Sequence, residues 1–407
     1  PDRDHLLATI DHFLAEDWGV TPAYHAIGIA NFDLRTGDLA WKAAFILDVL
    51  AEVAGPQRCA ALVRRVAEEL LPNYLQGVAA GEWWCACDFN WGGGTHAQAG
   101  LAALPIAEEH PALAAEVLDT VRRGLAPMIA AFPAHGAWIE GMMYQTTTLA
   151  HLSDFALALE RVSGDDLGLG GNPAFRDCIR YRQEQLGGDG RPLNFSNCNE
   201  HSIEHFLPQA YRWARRWNDP ALTAFEDTLV KPWKDVHGLF HDVEAFWYRD
   251  AQQPAIARPT RSFHHFAGLD WLRWSQDAAD RPAWWLALRG GRLGGNHGNL
   301  DLGQIILGCG TQRWLVDPGY GAGKTDQHSL PTFRGHHQTD RARGPIVRRE
   351  QQGRDLHLAI DLHEAHPFVL DRWVRHVLVL DGSVVVLVDD LLGTEARRLS
   401  RNHHLQV

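Results

Sequence analysis

The stretch His297-Gly-Asn-Leu-Asp-Leu-Gly-Gln-Ile-Ile-Leu-Gly-Cys-Gly-Thr-Gln-Arg-Trp-Leu-Val-Asp-Pro-Gly319 marks a change in the character of the chain. Its apolar runs, Gln304–Leu307 and Arg313–Asp317, are short, rich in Ile, Leu, Val and Trp, and bounded by glycine and proline, so they read as strands. Ahead of them His297, Asn299 and Asp301 alternate, and in extended backbone alternate residues share a face. Three polar side chains on one face before an apolar strand have no packing explanation. The segment is therefore a candidate site as well as a β signal.

Working outward, Trp284–Leu288, Leu356–Leu362 and Trp373–Val388 carry the same signature, and Asp381-Gly382 marks a hairpin turn inside the last. This part of the chain reads as antiparallel β. It runs into Asn402–Val407, which looks like a further strand, so the sheet is expected to be incomplete at that end. Upstream the reading is helix after helix: 38–54, 56–75, 96–109, 111–132, 146–162, 173–186, 202–217 and 221–236 all space apolar residues three and four apart. Gly/Pro/Asn-rich breaks such as Gly92-Gly93-Gly94 separate them. Helix pairs without a strict sequence period suit an α/α toroid better than a repeat solenoid. The expectation is an α+β multidomain chain, helical over 1–265 and antiparallel β over 266–407.

Composition fits that frame. At 407 residues, two or three domains are expected. With 45% hydrophobic and 22% charged residues, the chain can bury a large core and is not disordered. Fifty acidic against 38 basic residues give a net charge of −12, which argues against coating nucleic acid or anionic lipid. No apolar run reaches the roughly 18 residues of a membrane span. Six cysteines are too few for a disulfide scaffold, and Cys85-Ala-Cys87 lacks the second pair of a zinc site. No signal peptide is visible, but Pro1 is not a native start, so the sequence leaves the compartment open. Sixteen tryptophans and 23 histidines offer stacking faces and titratable groups, although core packing and surface capping are their commonest uses.

Three further segments join polar, titratable side chains to glycine-rich backbone. In Cys87–His96, Thr95 is placed to cap a helix, with Asn90 and His96 around its N-terminus. Gly136-Ala-Trp-Ile-Glu-Gly-Met-Met-Tyr144 runs from a turn into the next helix. Phe333-Arg-Gly-His-His-Gln-Thr-Asp340, with Asp317, has the residue types of a His/Asp metal site. A basic run follows at Arg341, Arg343, Arg348 and Arg349, a pattern more often a solvated face than a ligand site.

Taken together these segments resemble the heparinase II/III-type polysaccharide lyases. HGNLDLGQIILGCGTQRWLVDPG (297–319) is similar to the His-x-His-x-Asp-x-Gly stretch and Asp-x-Gly that open that family's β-sandwich. GAWIEGMMY (136–144) is similar to its Trp-x-Glu-Gly-x-x-Tyr element, and NWGGGTHAQAGLAAL (90–104) to its Asn-Trp segment. RGHHQT (334–339) stands where the family has a His-Asn pair. The four elements come in the family's order between about residues 85 and 340.

The resemblance implies an incomplete α/α toroid, an antiparallel β-sandwich and β-elimination on a uronate-containing acidic polysaccharide. Asn90, with His96, would neutralise the uronate carboxylate as a hydrogen-bond donor. Tyr144 would be the acid for the leaving oxygen, and the base for one sugar epimer; His297 would be the second acid/base. Trp91, Asn197, His201, Arg273 and Arg334 are the substrate-binding candidates, and Glu140 an orienting residue. No cofactor would be required. A structural zinc or calcium would sit in the β-domain on Asn299, Asp317 and His336 or His337, with Asn299 standing where the family has a better zinc ligand.

The sugar is not legible: heparan-, alginate-, hyaluronan- and exopolysaccharide-type uronates all fit. Such polymers lie outside the cytoplasm, which implies a periplasmic or secreted protein. Two other readings remain. An inverting glycosidase would draw paired carboxyls from Asp88, Glu140, Glu200 and Glu204. A non-catalytic carbohydrate-binding protein would need neither Tyr144 nor His297.

Overall fold

The computed structural model describes residues 3–200, 205–230, 248, 262–276, 282–333, 335–393 and 399–401. Two compact units result, Pro1–Phe132 with Thr147–Asn172, and Pro133–Thr146 with Pro173–Val407.

The first unit is helical. Its elements are α1 (Arg3–Ala15), α2 (Pro22–His25), α3 (Leu34–Val49), α4 (Ala51–Ala54), α5 (Pro56–Arg65), α6 (Leu71–Ala80), α7 (Asn90–Ala103), α8 (Pro111–Ala130) and most of α9 (Met142–Ser163). Asp33 opens α3 with a reciprocal cap: its carboxylate accepts from Thr36 N–H at 2.7 Å, and Thr36 Oγ1 accepts from Asp33 N–H at 2.6 Å. A π-turn over Val66–Leu70 joins α5 to α6. Pro72 lies just beyond it and supplies no N–H, so the helical ladder lacks a rung there. Helix α7 packs between α3 and α8 and is buried along nearly its whole length. Small residues permit this: a Cβ on Gly100 would lie 2.7 Å from the Phe155 ring.

The second unit adds α10 (Pro173–Glu184), α11 (Ala210–Arg216) and α12 (Pro220–Val230) to the strands. These are β1 (Phe263–Phe266), β2 (Trp271–Ser275), β3 (Trp284–Arg289), β4 (Gly291–Arg292), β5 (Ile305–Cys309), β6 (Gln312–Leu315), β7 (Pro331–Phe333), β8 (Arg343–Gly344), β9 (Ile346–Gln352), β10 (Asp355–Asp361), β11 (Arg372–Leu380), β12 (Val384–Leu392) and β13 (Leu399–Arg401). One antiparallel sheet runs β1-β2-β3-β5-β6 and a second β12-β11-β10-β9. The hairpin turns at Asp381 and Gly382, both at positive φ (47° and 59°).

Alternation along the strands builds two cores. Leu272, Trp274, Leu286 and Leu288 face Leu358, Ile360, Trp373 and Val377 of the other sheet, which makes a β-sandwich. Trp271, Trp285, Ala287 and Ile306 point the opposite way, onto Tyr181, Leu193 and Phe195. The compact units are therefore not divided at residue 265. α10 and the loop after it bury their apolar side chains on the first sheet and belong with it. The described part of 202–217 is helical only from Ala210, and Asn402–Val407 lies outside the described residues.

Candidate active site

The loop Pro133–Gly141 and the first turn of α9 present Trp138, Glu140 and Tyr144. The Glu140 carboxylate is fully buried and accepts from Trp138 Nε1 at 3.0 Å and from Asn296 Nδ2 at 2.7 Å. Asn296 precedes His297, so Glu140 fixes the loop that carries this histidine. His297 stands in the left-handed region, φ 54°, and its carbonyl accepts from Asn197 N–H at 3.0 Å. Its Nε2 lies 3.7 Å from Glu140 Oε1, and its ring lies flat on Tyr144, with centroids 3.7 Å apart and planes 6° from parallel. Burial lowers the His297 pKa, so the imidazole is neutral at pH 7. A neutral imidazole can take up a proton and a phenol can give one.

A loop after β6 completes the cluster. The Tyr144 hydroxyl donates to the hydroxyl of Tyr320 at 3.3 Å. Asn197 Oδ1 accepts from Gly321 N–H at 3.3 Å, and Asn194 Nδ2 donates to the Asp317 carbonyl at 2.7 Å. Asp317 turns its carboxylate onto Gly319 N–H at 2.8 Å and onto His328 Nδ1 at 3.1 Å, while His328 Nε2 donates to the Ala322 carbonyl at 2.8 Å. Burial disfavours the charged imidazole, but Asp317, through charge and hydrogen bond, and nearby Asp301 outweigh it and lift His328 to about 9. His328 is a buried imidazolium.

Several expected residues sit elsewhere. His297, Asn299 and Asp301 are not in a strand: Gly298 N–H bonds back to the Gly295 carbonyl at 3.0 Å, and the strand starts only at Ile305. Asn299 and Asp301 are buried, His297 half-buried. Arg273 is buried in β2, with Nε donating to the Leu186 carbonyl at 2.6 Å and Glu184 as countercharge, so it does not face a sugar. His201 and Arg334 lie outside the described residues. Among the described residues no three His, Cys, Asp or Glu side chains converge on a common point. Asp317 is matched by His328, and His336 is exposed. The basic run lies along β8 and β9, where Arg348 approaches Glu350 and Arg349 approaches His265.

In the helical unit, α7 begins at Asn90, six residues before the expected start at His96. Thr95 thus sits in the second turn, donating to the Trp91 carbonyl at 2.7 Å, and is not the cap. The same displacement turns His96 inward. It is 1% exposed, its Nδ1 accepts from Tyr74 O–H at 2.6 Å and its Nε2 donates to the Cys85 carbonyl at 3.2 Å. Burial pushes its pKa down to about 4. Gly124 of α8 makes room for the ring, since a Cβ there would lie 2.3 Å from it. His96 is a core residue, spent on Tyr74 and Cys85. Asn90, the first residue of α7, is buried, and Trp91 is buried against Trp83 and Tyr24; Trp83 is the exposed member of that aromatic group.

The paired carboxyls of a glycosidase fare poorly. Glu140 is engaged by Trp138 and Asn296, Glu200 lies beside Arg191 and Arg313 at 3.2 and 3.5 Å, and Glu204 is outside the described residues. Tyr320, Asn296 and His328 are not among the residues the sequence points to. For Tyr320 there was a signal, an aromatic residue inside Gly319-Tyr-Gly-Ala-Gly323 directly after the Asp-Pro-Gly motif.

No protein-family profile matches the chain, and no curated protein sequence matches it. Solved structures do. A crystal structure of heparinase III superposes with a TM-score of 0.62 at 11% identity, covering 89% of this chain and 55% of the other. Heparan sulfate lyase HepC from Pedobacter heparinus gives 0.56 at 13% identity, covering 100% of this chain and 61% of the other. The chain thus spans little more than half the length of these structures. No helix among the described residues is long and apolar enough to cross a membrane. A helical part followed by an antiparallel sandwich, with strands in this arrangement, is the heparinase III-like fold.

Proposed function

We propose that this chain is the catalytic part of a polysaccharide lyase that cleaves a uronate-containing acidic polysaccharide by β-elimination. The observation that carries the proposal is the face-to-face contact of Tyr144 and His297, a phenol and a neutral imidazole 3.7 Å apart on a buried carboxylate support. Elimination removes the C5 proton of a uronic acid, expels the 4-linked oxygen and leaves a C4–C5 double bond. A phenol, ordinarily titrating near ~10, holds its proton at neutral pH and can give it to the leaving oxygen. His297, neutral because it is buried, can take the C5 proton. Asn90 is assigned to the substrate carboxylate, as a neutral donor that lets charge build up at C5. Glu140 orients His297 through Asn296, and Asn197 holds the His297 backbone. No metal enters these steps.

Heparinase III and heparan sulfate lyase as structural neighbours put heparan-type glycans first among substrates, ahead of alginate- and hyaluronan-type uronates. The protein would then meet its substrate in the periplasm or outside the cell. The test is ultraviolet absorbance during incubation with a panel of uronate polysaccharides. A rise from the conjugated double bond, absent in Tyr144→Phe and His297→Ala, is the expected result. New reducing ends without that absorbance would overturn it.

A further inference from the structure

Tyr320 is more than half exposed, yet it is held with unusual care. Its neighbours Gly319 and Gly321 each donate a backbone N–H, to Asp317 Oδ1 at 2.8 Å and to Asn197 Oδ1 at 3.3 Å. Gly319, at φ 72°, lies so close to the 194–198 loop that a Cβ there would sit 2.5 Å from the Cys198 carbonyl oxygen. Behind the loop stands the buried Asp317–His328 pair, which Tyr144 and His297 do not need for themselves. All of this machinery fixes one exposed phenol whose only polar contact described is the Tyr144 hydroxyl, 3.3 Å away.

We infer that Tyr320 is a positioning residue for Tyr144: its hydroxyl donates to the Tyr144 phenolate and so sets the pH at which Tyr144 exchanges its proton. A hydroxyl can donate and accept. In the neutral pair Tyr144 is the donor. Once Tyr144 has given up its proton its oxygen can only accept, and the Tyr320 O–H turns to it. Bonds to an ionised partner are shorter and about twice as strong, so Tyr320 favours the phenolate more than the phenol. Among the described residues, the imidazole of His297 lies against Tyr144, and behind that ring stands the Glu140 carboxylate, which opposes a second negative charge. Tyr320 offsets that opposition. The proton that leaves Tyr144 during elimination stays on the departing sugar oxygen, and the C5 proton taken up by His297 then passes to the Tyr144 phenolate and restores both groups.

The inference rests on reading Tyr144 as the acid/base group, but its test does not depend on turnover. The tyrosinate absorbance of the intact chain is titrated for the wild type, Tyr144→Phe and Tyr320→Phe. The step missing from Tyr144→Phe belongs to Tyr144; in Tyr320→Phe it is expected to move upward by roughly one pH unit, the worth of one such bond. On any glycan that is turned over, the matching limb of the kcat profile should move by the same amount with KM unchanged. A Tyr144 step at the same pH in both proteins, with melting curves superposed, would overturn the inference whether or not the chain is a lyase. A shifted step with no glycan turned over would uphold it and count against the lyase reading alone.

Discussion

The phenol ring of Tyr144 lies 3.7 Å from the imidazole of His297, centroid to centroid, and within 6° of parallel to it. A proton taken at one position and given at another, on the same sugar, fits that arrangement.

Loss of either ring should therefore remove chemistry and leave binding. Tyr144→Phe and His297→Ala are each expected to lower kcat by about 10²–10⁴-fold, the usual worth of an acid/base group. Steady-state kinetics on the glycan identified by absorbance decide this. A Tyr144→Phe protein with wild-type kcat would end its role.

The pH dependence has a definite sign. Burial lowers the His297 pKa from the ordinary 6.5, so its base form persists at lower pH than for a free imidazole. The acid limb of kcat/KM is expected below 6.5. A limb at or above that value would assign the base elsewhere.

Glu140→Gln tests the support beneath the pair. Trp138 and Asn296 both donate to the carboxylate, and an amide can accept on one side only. One buried donor is left facing an NH2, at a cost of about 1–3 kcal/mol in urea unfolding. The His297 loop should loosen as well, seen as a fall in kcat beyond any change in KM.

His96→Ala separates a core histidine from a substrate ligand. The change leaves a cavity beside Gly124 and strands the buried Tyr74 hydroxyl. About 2–4 kcal/mol of stability should be lost, while KM stays at its wild-type value. A raised KM with unchanged stability would put His96 back among the groups that meet the sugar.

His328, raised to about 9, stabilises the folded chain fully below its unfolded value of 6.5, and that contribution fades as pH rises through 9. It amounts to about 3 kcal/mol at most. Denaturation midpoints measured from pH 6 to 10 should fall in the wild type and fall much less in His328→Leu.

The sequence made the β part legible because strand periodicity and turn chemistry agree there: the Asp381-Gly382 hairpin forms with both residues at positive φ. The helices were legible as elements, less so at their ends. The sequence places the start of α7 six residues late because Thr95 looks like a cap, whereas α7 starts at Asn90 with no side-chain cap at all. That one slip carried His96 from the core to the site. Arg273 was misread for another reason: charge suggests solvent, but a strand inside a sandwich buries alternate residues whatever their charge, and Arg273 finds a carbonyl and Glu184. The resemblance pointed to Tyr144 and His297, which the structure stacks together, and Asn197, expected at the sugar, holds the His297 backbone. Tyr320 and His328 belong to loops closed by long-range contacts, which no local pattern encodes.

The left-handed backbone at His297 has a consequence for anyone engineering this protein. An L-residue with a branched ring is strained at φ 54°, by an amount of order 1 kcal/mol, and glycine or asparagine would sit there at ease. A screen for heat resistance alone would thus favour His297→Gly or His297→Asn, hardier chains without the imidazole. Selection for thermostability and selection for turnover should pull in opposite directions at this single position.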